Sequence, residues 1–345
     1  MRRMTKTAAL LSAAALVLSA CGGNDTESDT GSGEGGSDIK VGLAYDGGGR
    51  GDQSFNDAAA KGLDQAVEEF GMEPQEAEAA DGEPESAREE RLRTFAENGF
   101  NPVIAVGFAY SASLAKVAPE YPDVDFAIID DEAAVGDNIA NLVFAEEQGS
   151  FLVGAAAALK SENDHVGFIG GVEVPLIQKF EAGFIAGAQE VNPEIEIERT
   201  YLTQPPDFSG FGDPATGKTA AEGMFDAGAD VVYHAAGGSG GGLFEAAQES
   251  GNLAIGVDSD QYELVDPSLQ EVILTSMLKN VDVAVYEYLT AVNDGETPTG
   301  TQRYDLESDG VGYSTSGGQV DDITEELDQY KQQIIDGEIE VPTAP

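Results

Sequence analysis

Polar and aromatic residues that could recognise a small ligand lie together in a glycine-rich stretch near the start of the folded body. Asp46 follows a short apolar run, and the glycines after it lead to Phe55 and Asn56. A carboxylate, an aromatic face and an amide can hold a small ligand through hydrogen bonds and stacking. The stretch lacks the Gly-Lys-Ser/Thr ending of a P-loop and the G-x-G-x-x-G order of a dinucleotide fingerprint. The alternative is a solvated turn before a helix, with Asp52 or Ser54 as its cap.

Further polar residues follow apolar, strand-like runs later in the chain. Asp130, Asp258 and Lys279 each come directly after such a run, and a glycine-rich run that begins at Gly237 follows another. In open α/β sheets ligands bind at the carboxyl ends of the strands, so these residues are candidates for one site. The alternatives are solvated turns and loops for Asp258 and Gly237, and a surface salt bridge for Lys279. Phe180 follows a strand-end loop and is a further candidate, unless it packs in the core.

The candidate residues lie between segments whose apolar residues recur with either strand-like or helical spacing. Short apolar runs typical of buried strands alternate with longer segments of helical spacing, which predicts βαβ crossovers and parallel sheets. The predicted strands are residues 39–45, 71–79, 102–106, 125–129, 139–144, 165–170, 196–201, 231–235, 253–257, 272–278 and 301–305. The predicted helices begin near residue 54 and continue with residues 83–98, 110–121, 148–159, 176–191, 216–227, 240–250, 281–294 and 321–335. Because the alternation restarts at residue 165, we expect an α/β fold with two doubly wound parallel-sheet lobes that face a common cleft.

The first 21 residues have the pattern of a lipoprotein signal peptide. Basic residues precede an apolar core at residues 8–18, and Leu18-Ser19-Ala20-Cys21 resembles a bacterial lipobox. Cleavage before Cys21 and its acylation would anchor the mature protein to the cell membrane, on the extracytoplasmic face. A plain signal peptide that ends by chance in cysteine is the alternative. Residues 22–38 are rich in Gly, Ser, Thr, Asp and Glu, which predicts a disordered tether.

Composition excludes several classes of function. The 345 residues carry 64 acidic and 17 basic side chains, a formal net charge of −47, so binding to nucleic acid or to anionic lipid headgroups is disfavoured. The two histidines, His165 and His234, are far apart in the sequence, and we predict a structural role for each. The sequence contains no Cys/His ligand set for zinc, no calcium-loop motif and no acid–base–nucleophile set. We therefore expect no metal, no cofactor and no catalytic residue.

Several stretches resemble the BMP-family lipoproteins, the nucleoside-binding components of ABC transporters. The resemblance extends from about residue 39 to residue 315, in order and with family-like spacing, and the lipobox fits it. The matching stretches are D-G-G-G-R-G-D-Q-S-F-N at residues 46–56, V-I-A-V-G-F at 103–108, F-A-I-I-D at 126–130, E-E-Q-G-S-F-L at 146–152, V-G-F-I-G-G at 166–171, K-F-E-A-G-F-I-A-G at 179–187, D-P-A-T-G-K at 213–218, H-A-A-G-G at 234–238, A-I-G-V-D-S-D-Q at 254–261 and T-S-M-L-K-N-V-D-V-A-V at 275–285.

The resemblance implies the type I periplasmic-binding-protein fold, in which two α/β lobes joined by a three-stranded hinge close on a ligand. We expect a first lobe of residues 39–145 plus about 258–292, a second lobe of about 146–257 plus 293–336, and a tail of residues 337–345. The resemblance also implies the capture of nucleosides, purine-type in preference, for import by an ABC permease, and we expect the protein to be a monomer. A sensor of the same fold that signals to a membrane partner, or a receptor for another small polar ligand such as a sugar, is the alternative.

The resemblance assigns roles around the base of a nucleoside. Phe55 would stack on one face of the base. The second stacking ring would be Phe211, with Phe208 as its rival, because this chain carries extra residues at 204–209 where the family pattern is shorter. Asn56 would hydrogen-bond the base edge together with one aspartate of the doublet Asp130–Asp131, the first in preference.

The resemblance also assigns roles around the sugar. Asp46, Asp258 and Lys279 would hold the ribose hydroxyls, and the backbone at Gly237 would approach the sugar. Carboxylates suit adjacent hydroxyls because each carboxylate accepts more than one hydrogen bond. Since the sequence offers no cluster of Arg or Lys residues for a phosphate group, we expect nucleosides rather than nucleotides.

Overall fold

The computed structural model describes residues 37–47, 49–80 and 82–345. In these residues the chain forms twelve strands and ten α-helices. In chain order they are β1 (Lys40–Ala44), α1 (Phe55–Phe70), β2 (Glu73–Ala77), α2 (Glu85–Glu97), β3 (Val103–Ala105), α3 (Ser111–Val117), β4 (Phe126–Ile129), β5 (Ile139–Phe144), α4 (Glu146–Lys160), β6 (His165–Val172), α5 (Pro175–Val191), β7 (Glu196–Thr203), α6 (Pro214–Ala227), β8 (Val231–Ala235), α7 (Gly240–Ser250), β9 (Leu253–Asp258), α8 (Gln261–Leu264), β10 (Ile273–Lys279), α9 (Val281–Asn293), β11 (Gly300–Tyr304), β12 (Val311–Tyr313) and α10 (Thr324–Ile335). The predicted signal peptide, its Cys21 and the tether up to residue 36 lie outside the described residues.

The first lobe is built on a six-stranded parallel sheet with the strand order β11-β5-β4-β3-β1-β2. Its inner strands are apolar and buried, as β4 illustrates, because all four of its residues are inaccessible to solvent. Strands covered on both faces need such continuous apolar runs. The edge strand β2 has the sequence Glu-Pro-Gln-Glu-Ala and is largely exposed, which is the composition that an unpaired sheet edge tolerates.

The second lobe is built on a sheet with the order β12-β10-β9-β8-β6-β7, parallel except for the pair β10–β12. Helices α4 and α5 pack against each other at small residues. A Cβ atom added to Gly154, Gly183 or Gly187 would lie about 2 Å from a backbone oxygen of the facing helix. These glycines therefore allow close backbone contact, which fixes α4 and the acidic residues at its start beside the second sheet.

The backbone passes between the two lobes three times within the described residues. The connections are Ala145 between β5 and α4, Asn280 between β10 and α9, and residues 305–310 between β11 and β12. These connections lie side by side, since Ala145 N donates to Tyr304 O (2.8 Å) and Asn280 N donates to Gly310 O (2.9 Å). Three adjacent segments that join two compact lobes have the form of a hinge.

The predicted lobe boundaries are wrong for two strands. Strand β10, which falls in the predicted first lobe, pairs with β9 and β12 in the second sheet. Strand β11, which falls in the predicted second lobe, pairs with β5 in the first sheet. A buried strand has the same apolar pattern in either sheet, so its sequence does not identify its neighbours.

The predicted parallel α/β architecture is confirmed. The predicted strands and helices correspond to observed ones with small differences at their ends, as in the strand predicted at residues 165–170 and observed as His165–Val172. Strand β12 and helix α8 are not predicted, because three and four residues are too few to show a periodicity.

Candidate ligand-binding site

A cavity of about 340 Å³ lies between the two lobes, near the carboxyl ends of β1, β4, β8, β9 and β10. Its volume falls within the range of small-molecule sites in proteins. All the residues that the sequence pattern singled out for the site line this one cavity. They are Asp46, Phe55, Asn56, Asp130, Phe180, Phe211, Gly237, Asp258 and Lys279.

The loop between β1 and α1 is held in shape by carboxylates that accept its backbone N–H groups. Asp52 Oδ1 accepts from Ser54 N (3.0 Å) and Asp57 N (3.1 Å), and Asp52 Oδ2 accepts from Asn56 N (2.8 Å). Asp57 accepts in turn from the backbone N–H of Gln53 (2.9 Å). Asp52 thus caps the start of α1, as the alternative interpretation of this loop predicts. Because Asp52 also lines the cavity, the cap and the candidate site share one carboxylate.

The side chain of Asn56 is buried and spans the same loop. Its Oδ1 accepts from Asp46 N (3.2 Å), and its Nδ2 donates to Gly47 O (3.4 Å) and to Asp52 Oδ2 (3.1 Å). Both amide hydrogens therefore form hydrogen bonds within the described residues. Toward a ligand, Asn56 can still accept one hydrogen bond through the second lone pair of Oδ1. The predicted contact of Asn56 with a base edge stays a prediction, and it would require a donor on the ligand.

A buried charge cluster joins the two lobes at the floor of the cavity. Lys279 Nζ lies 2.5 Å from Asp130 Oδ2 and 3.3 Å from Glu146 Oε1, and Lys179 Nζ lies 3.2 Å from Glu146 Oε2. The side chains of Lys279, Asp130 and Glu146 are 1%, 4% and 1% exposed. Asp130 directly follows β4 of the first sheet and Lys279 is the last residue of β10 in the second, so their ion pair crosses the cleft. The structure brings Asp130 to the cavity, whereas Asp131 Oδ1 accepts from Ala134 N (2.7 Å) in the following loop.

Lys279 stays charged in this position. Burial alone would lower the pKa of its ammonium, but the carboxylates of Asp130, Glu146 and Asp258 raise it more, so the net pKa lies above its usual value. The ammonium also lies over the rings of Phe55 and Phe180, at 5.1 and 5.5 Å from their centroids, within cation–π distance. The polar and the aromatic parts of the cavity therefore meet at Lys279.

Phe180 belongs to the cavity wall and not to the core alone. It is 3% exposed and lines the cavity. Its neighbour one turn later, Phe184, is fully buried and packs between Phe168 and Tyr233, with ring centroids 6.2 and 5.3 Å away. The two phenylalanines of α5 thus have different surroundings, as side chains four residues apart on a helix can when it borders a cavity.

Asp130 and Asp258 occupy corresponding places in the two lobes, and both have left-handed backbone conformations. Their φ angles are +66° and +64°, which costs energy for a residue other than glycine. Asp258 Oδ2 accepts a hydrogen bond from Ser54 Oγ of the first lobe (2.5 Å). Strained residues of this kind concentrate at functional sites, so the backbone supports a functional role for both aspartates.

Phe211 and Phe208 both line the cavity but differ in their surroundings. Phe211 is half-buried and rests against Gly171, where an added Cβ would lie 2.5 Å from the ring. Phe208 is 39% exposed, and its centroid lies 6.0 Å from that of Phe108 in the first lobe. Phe211 is therefore the more closely packed of the two rings in the cavity wall. Phe208 forms an aromatic contact between the lobes at the cavity edge.

Burial raises the pKa values of four cavity carboxylates, those of Asp46, Asp52, Asp130 and Asp258. Burial raises the pKa of Asp46 to about 6 and that of Asp52 to about 6, although hydrogen bonds from backbone N–H groups lower both. Burial also raises the pKa of Asp258, with partial compensation from Lys279 and from the Ser54 hydroxyl. The cavity thus concentrates carboxylates that are costly to ionise without a partner, which favours ligands rich in hydrogen-bond donors.

Replacement of Asp46 should stabilise the unliganded protein in a pH-dependent manner. The folded-state pKa of Asp46 is about 6 against an ordinary value of 3.8, so its contribution to stability is present below 3.8 and is lost as pH rises through 6. Asp46→Asn should therefore raise the free energy of unfolding by about 1–3 kcal/mol at pH 8, and the gain should shrink as pH falls below 6. Urea denaturation across this range measures it.

The control for this experiment is Asp123→Asn, at an exposed position, where we expect a change within about 0.5 kcal/mol. A loss of stability in Asp46→Asn at pH 8, or a gain that does not depend on pH, would contradict the expected ionisation cost.

His234 has the structural role that the sequence analysis predicts. It is fully buried, its Nε2 is hydrogen-bonded to Gln261 Oε1 (2.9 Å), and burial lowers its pKa to about 4. Gln261 in turn donates to Gln53 O of the first lobe (3.1 Å). The neutral imidazole therefore orients an amide that helps to hold the two lobes together.

Some residues at the site are not predicted from the sequence. Asp52 is expected only as a helix cap, while Phe108, Asp213 and Glu146 are not singled out. Glu146 and Phe108 lie within stretches that carry the family resemblance, so the resemblance marks their neighbourhood without assigning them a role. Asp213 is the N-cap residue of α6 and accepts from Thr216 N (3.1 Å), which is the ordinary pattern of a helix cap.

The sequence of the chain matches a family of known proteins. A family model described as Bmp, ABC transporter substrate-binding protein PnrA-like, matches residues 39–344. The chain belongs to this family. Members of the PnrA-like family are solute-binding components of ABC transporters and not enzymes, which confirms the predicted family, two-lobe fold class and non-enzymatic role.

Several known proteins are similar to this chain over most of its length. It is 33% identical to the CD4+ T-cell-stimulating antigen of Listeria innocua, over 97% of each chain. It is 30% identical to the ABC transporter nucleoside-binding protein BmpA of Lactococcus lactis, over 99% of each chain. Among solved structures, an ABC transporter system solute-binding protein from Aeropyrum pernix is similar with a TM-score of 0.77 and 31% identity, covering 88% of this chain and 93% of its own.

Within the described residues, each helix is too short or too polar to traverse a bilayer.

Proposed function

We propose that this protein is a lipid-anchored receptor on the extracytoplasmic face of the cell membrane that captures nucleosides, purine nucleosides in preference, for an ABC importer. The observation that carries the proposal is the lining of the cavity. Phe55 of one lobe and Phe211 of the other line it together with several carboxylates and one ammonium. Aromatic faces suit a flat heterocycle, and the polar groups suit its edge and its sugar. The name of the Lactococcus lactis relative, a nucleoside-binding protein, supports this choice.

The base would bind between the aromatic rings. Stacking on an aromatic side chain contributes about 1–3 kcal/mol per base. The edge of the base would be recognised by Asp130, whose Oδ1 is buried and has no hydrogen-bond partner within the described residues. A buried acceptor left in this state costs about 1–3 kcal/mol, and an N–H group of a purine would remove that cost. Asn56 would accept a second donor through its remaining lone pair.

The sugar would bind to the carboxylates at the strand ends. Asp46 and Asp258 offer acceptors to adjacent hydroxyls, while Lys279 offers a donor within the same cavity. Gly237 has a φ angle of +53°, a conformation that glycine adopts without strain, and it lets the backbone approach the sugar.

The charge of the cavity argues against nucleotides. Five carboxylates line it, those of Asp46, Asp52, Asp130, Asp213 and Asp258, and Lys279 is the one Lys or Arg among the lining residues that the structure describes. Its ammonium is already paired with Asp130 at 2.5 Å. A phosphate group would meet mostly like charge and no free cation, so the proposed ligand is a nucleoside.

Capture would proceed by closure of the lobes around the ligand. Several hydrogen bonds already join the lobes beside the cavity, among them Gln53 Nε2 to Leu264 O (2.9 Å) and Ser259 Oγ to Ser54 O (3.2 Å). A ligand that contacts both lobes favours this arrangement over an open one, and the three hinge segments accommodate the motion.

A screen of ligand classes tests the proposal. Purified protein is titrated calorimetrically with adenosine, guanosine, inosine, uridine, guanine, guanosine monophosphate and ribose. We expect purine nucleosides to bind most tightly, with the 5′-phosphate weakening binding at least tenfold and free ribose giving no heat. Tight binding of ribose alone, or of the nucleotide in preference to the nucleoside, would refute the proposed ligand.

A further inference from the structure

A second candidate site lies on the second lobe, at the opposite end of β6 from the ligand cavity. His165 begins β6 and is paired in register with Glu196, the first residue of the edge strand β7. Glu198 follows two residues later, so its side chain is on the same face of the sheet as that of Glu196. The amino end of a β-strand of eight residues lies roughly 20 Å or more from its carboxyl end, which separates this cluster from the cavity.

His165 is buried but incompletely satisfied. The residue is 6% exposed, and its Nε2 has no hydrogen-bond partner within the described residues. Glu198 Oε1 lies 3.8 Å from Nε2, and Glu196 Oε2 lies 4.0 Å from Nδ1. Both distances are too long for hydrogen bonds. A buried ring nitrogen directed at a carboxylate that it does not contact leaves space for a bridging group.

The spacing of the three side chains suits a metal ion. One ligand atom from each of His165, Glu196 and Glu198 can be chosen so that all lie within 4.8 Å of one another. Zinc binds imidazole nitrogen and carboxylate oxygen at about 2.0–2.2 Å, so tetrahedral ligands are roughly 3.3–3.5 Å apart. Small movements of the two glutamates, whose side chains are partly free in solvent, would close the remaining gap.

The surroundings of the cluster favour a cation. In the part of the chain that the structure describes, neither glutamate forms an ion pair with Lys or Arg. The carboxyl end of α6 is adjacent, because a Cβ added to its C-cap Gly228 would lie 3.3 Å from His165 Nδ1. A helix carboxyl end carries partial negative charge. His165 is also held in place by its backbone, since its N–H donates to Ser161 Oγ (3.2 Å) and its carbonyl accepts from Asp230 N (3.0 Å).

We propose that His165, Glu196 and Glu198 form a binding site for a divalent transition-metal ion of the Zn²⁺ type. One imidazole with two carboxylates is a ligand set that suits Zn²⁺ and other divalent transition-metal ions, whereas Mg²⁺ and Ca²⁺ prefer oxygen ligands alone. The ion links the first residues of β6 and β7, so it would stabilise the exposed edge of the second sheet.

Calorimetric titration of metal-free protein with Zn²⁺ tests the proposal, at pH 7 in a buffer that does not chelate zinc. We expect one site per chain, with an affinity at least tenfold lower in Glu198→Gln and in His165→Ala. The matched control is Glu194→Gln, which removes an exposed neighbouring carboxylate and should leave the affinity unchanged. Because Glu198 lies at the surface edge, Glu198→Gln keeps the test valid if His165→Ala destabilises the fold.

Two further readouts separate a built site from general attraction to an acidic protein. Co²⁺ should give the visible absorption of a site with nitrogen and oxygen ligands in the wild type, and this absorption should be lost in Glu198→Gln. Zn²⁺ should raise the melting temperature of the wild type and of Glu194→Gln alone. Equal Zn²⁺ binding by the wild type, His165→Ala and Glu198→Gln would overturn the proposal, as would equal competition by Mg²⁺.

Discussion

Lys279→Met should destabilise the protein by about 3–5 kcal/mol at pH 8, the loss typical of a buried ion pair that has lost one partner. The ammonium of Lys279 is the partner of Asp130 at 2.5 Å and of Glu146 at 3.3 Å, and both carboxylates are almost fully buried. Methionine fills a similar volume but leaves Asp130 without its cation and Glu146 with Lys179 alone. Urea denaturation followed by circular dichroism measures the loss.

The same variant should recover stability as the pH falls. Burial already raises the pKa of Asp130 in the presence of Lys279, and removal of the ammonium raises it further. A carboxyl with a raised folded-state pKa contributes most stability when it is protonated, so the difference from the wild type should be largest at pH 8 and smaller at pH 5.

The control for Lys279 is Lys61→Met, because Lys61 pairs with Asp282 at 2.6 Å but is 73% exposed. Exposed pairs contribute about 0–1 kcal/mol, so this variant should unfold almost as the wild type does. A loss below 1 kcal/mol in Lys279→Met would show that the buried cluster does not depend on its lysine.

Phe55→Ala should weaken the binding of purine nucleosides by about 5- to 150-fold, which corresponds to the 1–3 kcal/mol that stacking contributes. Phe55 is the first residue of α1 and lines the cavity, so its truncation removes one face of the proposed sandwich. Isothermal titration calorimetry with guanosine or inosine provides the measurement.

The same helix supplies the control. Phe70 is the last residue of α1 and stacks on Tyr286, with ring centroids 6.0 Å apart. It lies roughly 22 Å from Phe55 along the helix axis. Phe70→Ala should leave nucleoside affinity unchanged, even if it lowers stability. Unchanged affinity in Phe55→Ala would contradict the stacking role.

A pair of variants distinguishes the two candidates for the opposite ring. Phe211→Ala should weaken binding as strongly as Phe55→Ala, because Phe211 is fixed against Gly171 in the cavity wall. Phe208→Ala should have a smaller effect, since Phe208 is more exposed and contacts Phe108 between the lobes. The reverse order would assign the second ring to Phe208.

Much of the fold and the convergence of the site could be predicted from local sequence. Buried parallel strands are continuous apolar runs, and the residue after each run lies at the sheet edge where loops gather. That rule predicts Asp46, Asp130, Asp258 and Lys279 at strand ends, and all four line one cavity. A strand end is encoded locally, so the sequence alone reveals it.

The partners of these residues could not be predicted, because they depend on how separate segments pack. Glu146 begins a helix and looks like an ordinary acidic first turn, yet it is buried beside Lys279. Asp52 looks like a helix cap and is one, but its place in the cavity follows from the loop shape. The membership of β10 and β11 in the two sheets likewise depends on pairing that no local pattern contains.

Because the backbone passes through the hinge three times, each sheet includes a strand from the last part of the chain, which affects folding during synthesis. The first sheet is incomplete until β11 (Gly300–Tyr304) has been made, and the second until β12 (Val311–Tyr313) follows. A growing polypeptide therefore cannot finish either half on the ribosome until nearly all of it has been synthesised. Completion of both sheets therefore depends on the last quarter of the polypeptide, so we expect truncation before residue 300 to prevent either lobe from reaching its full sheet.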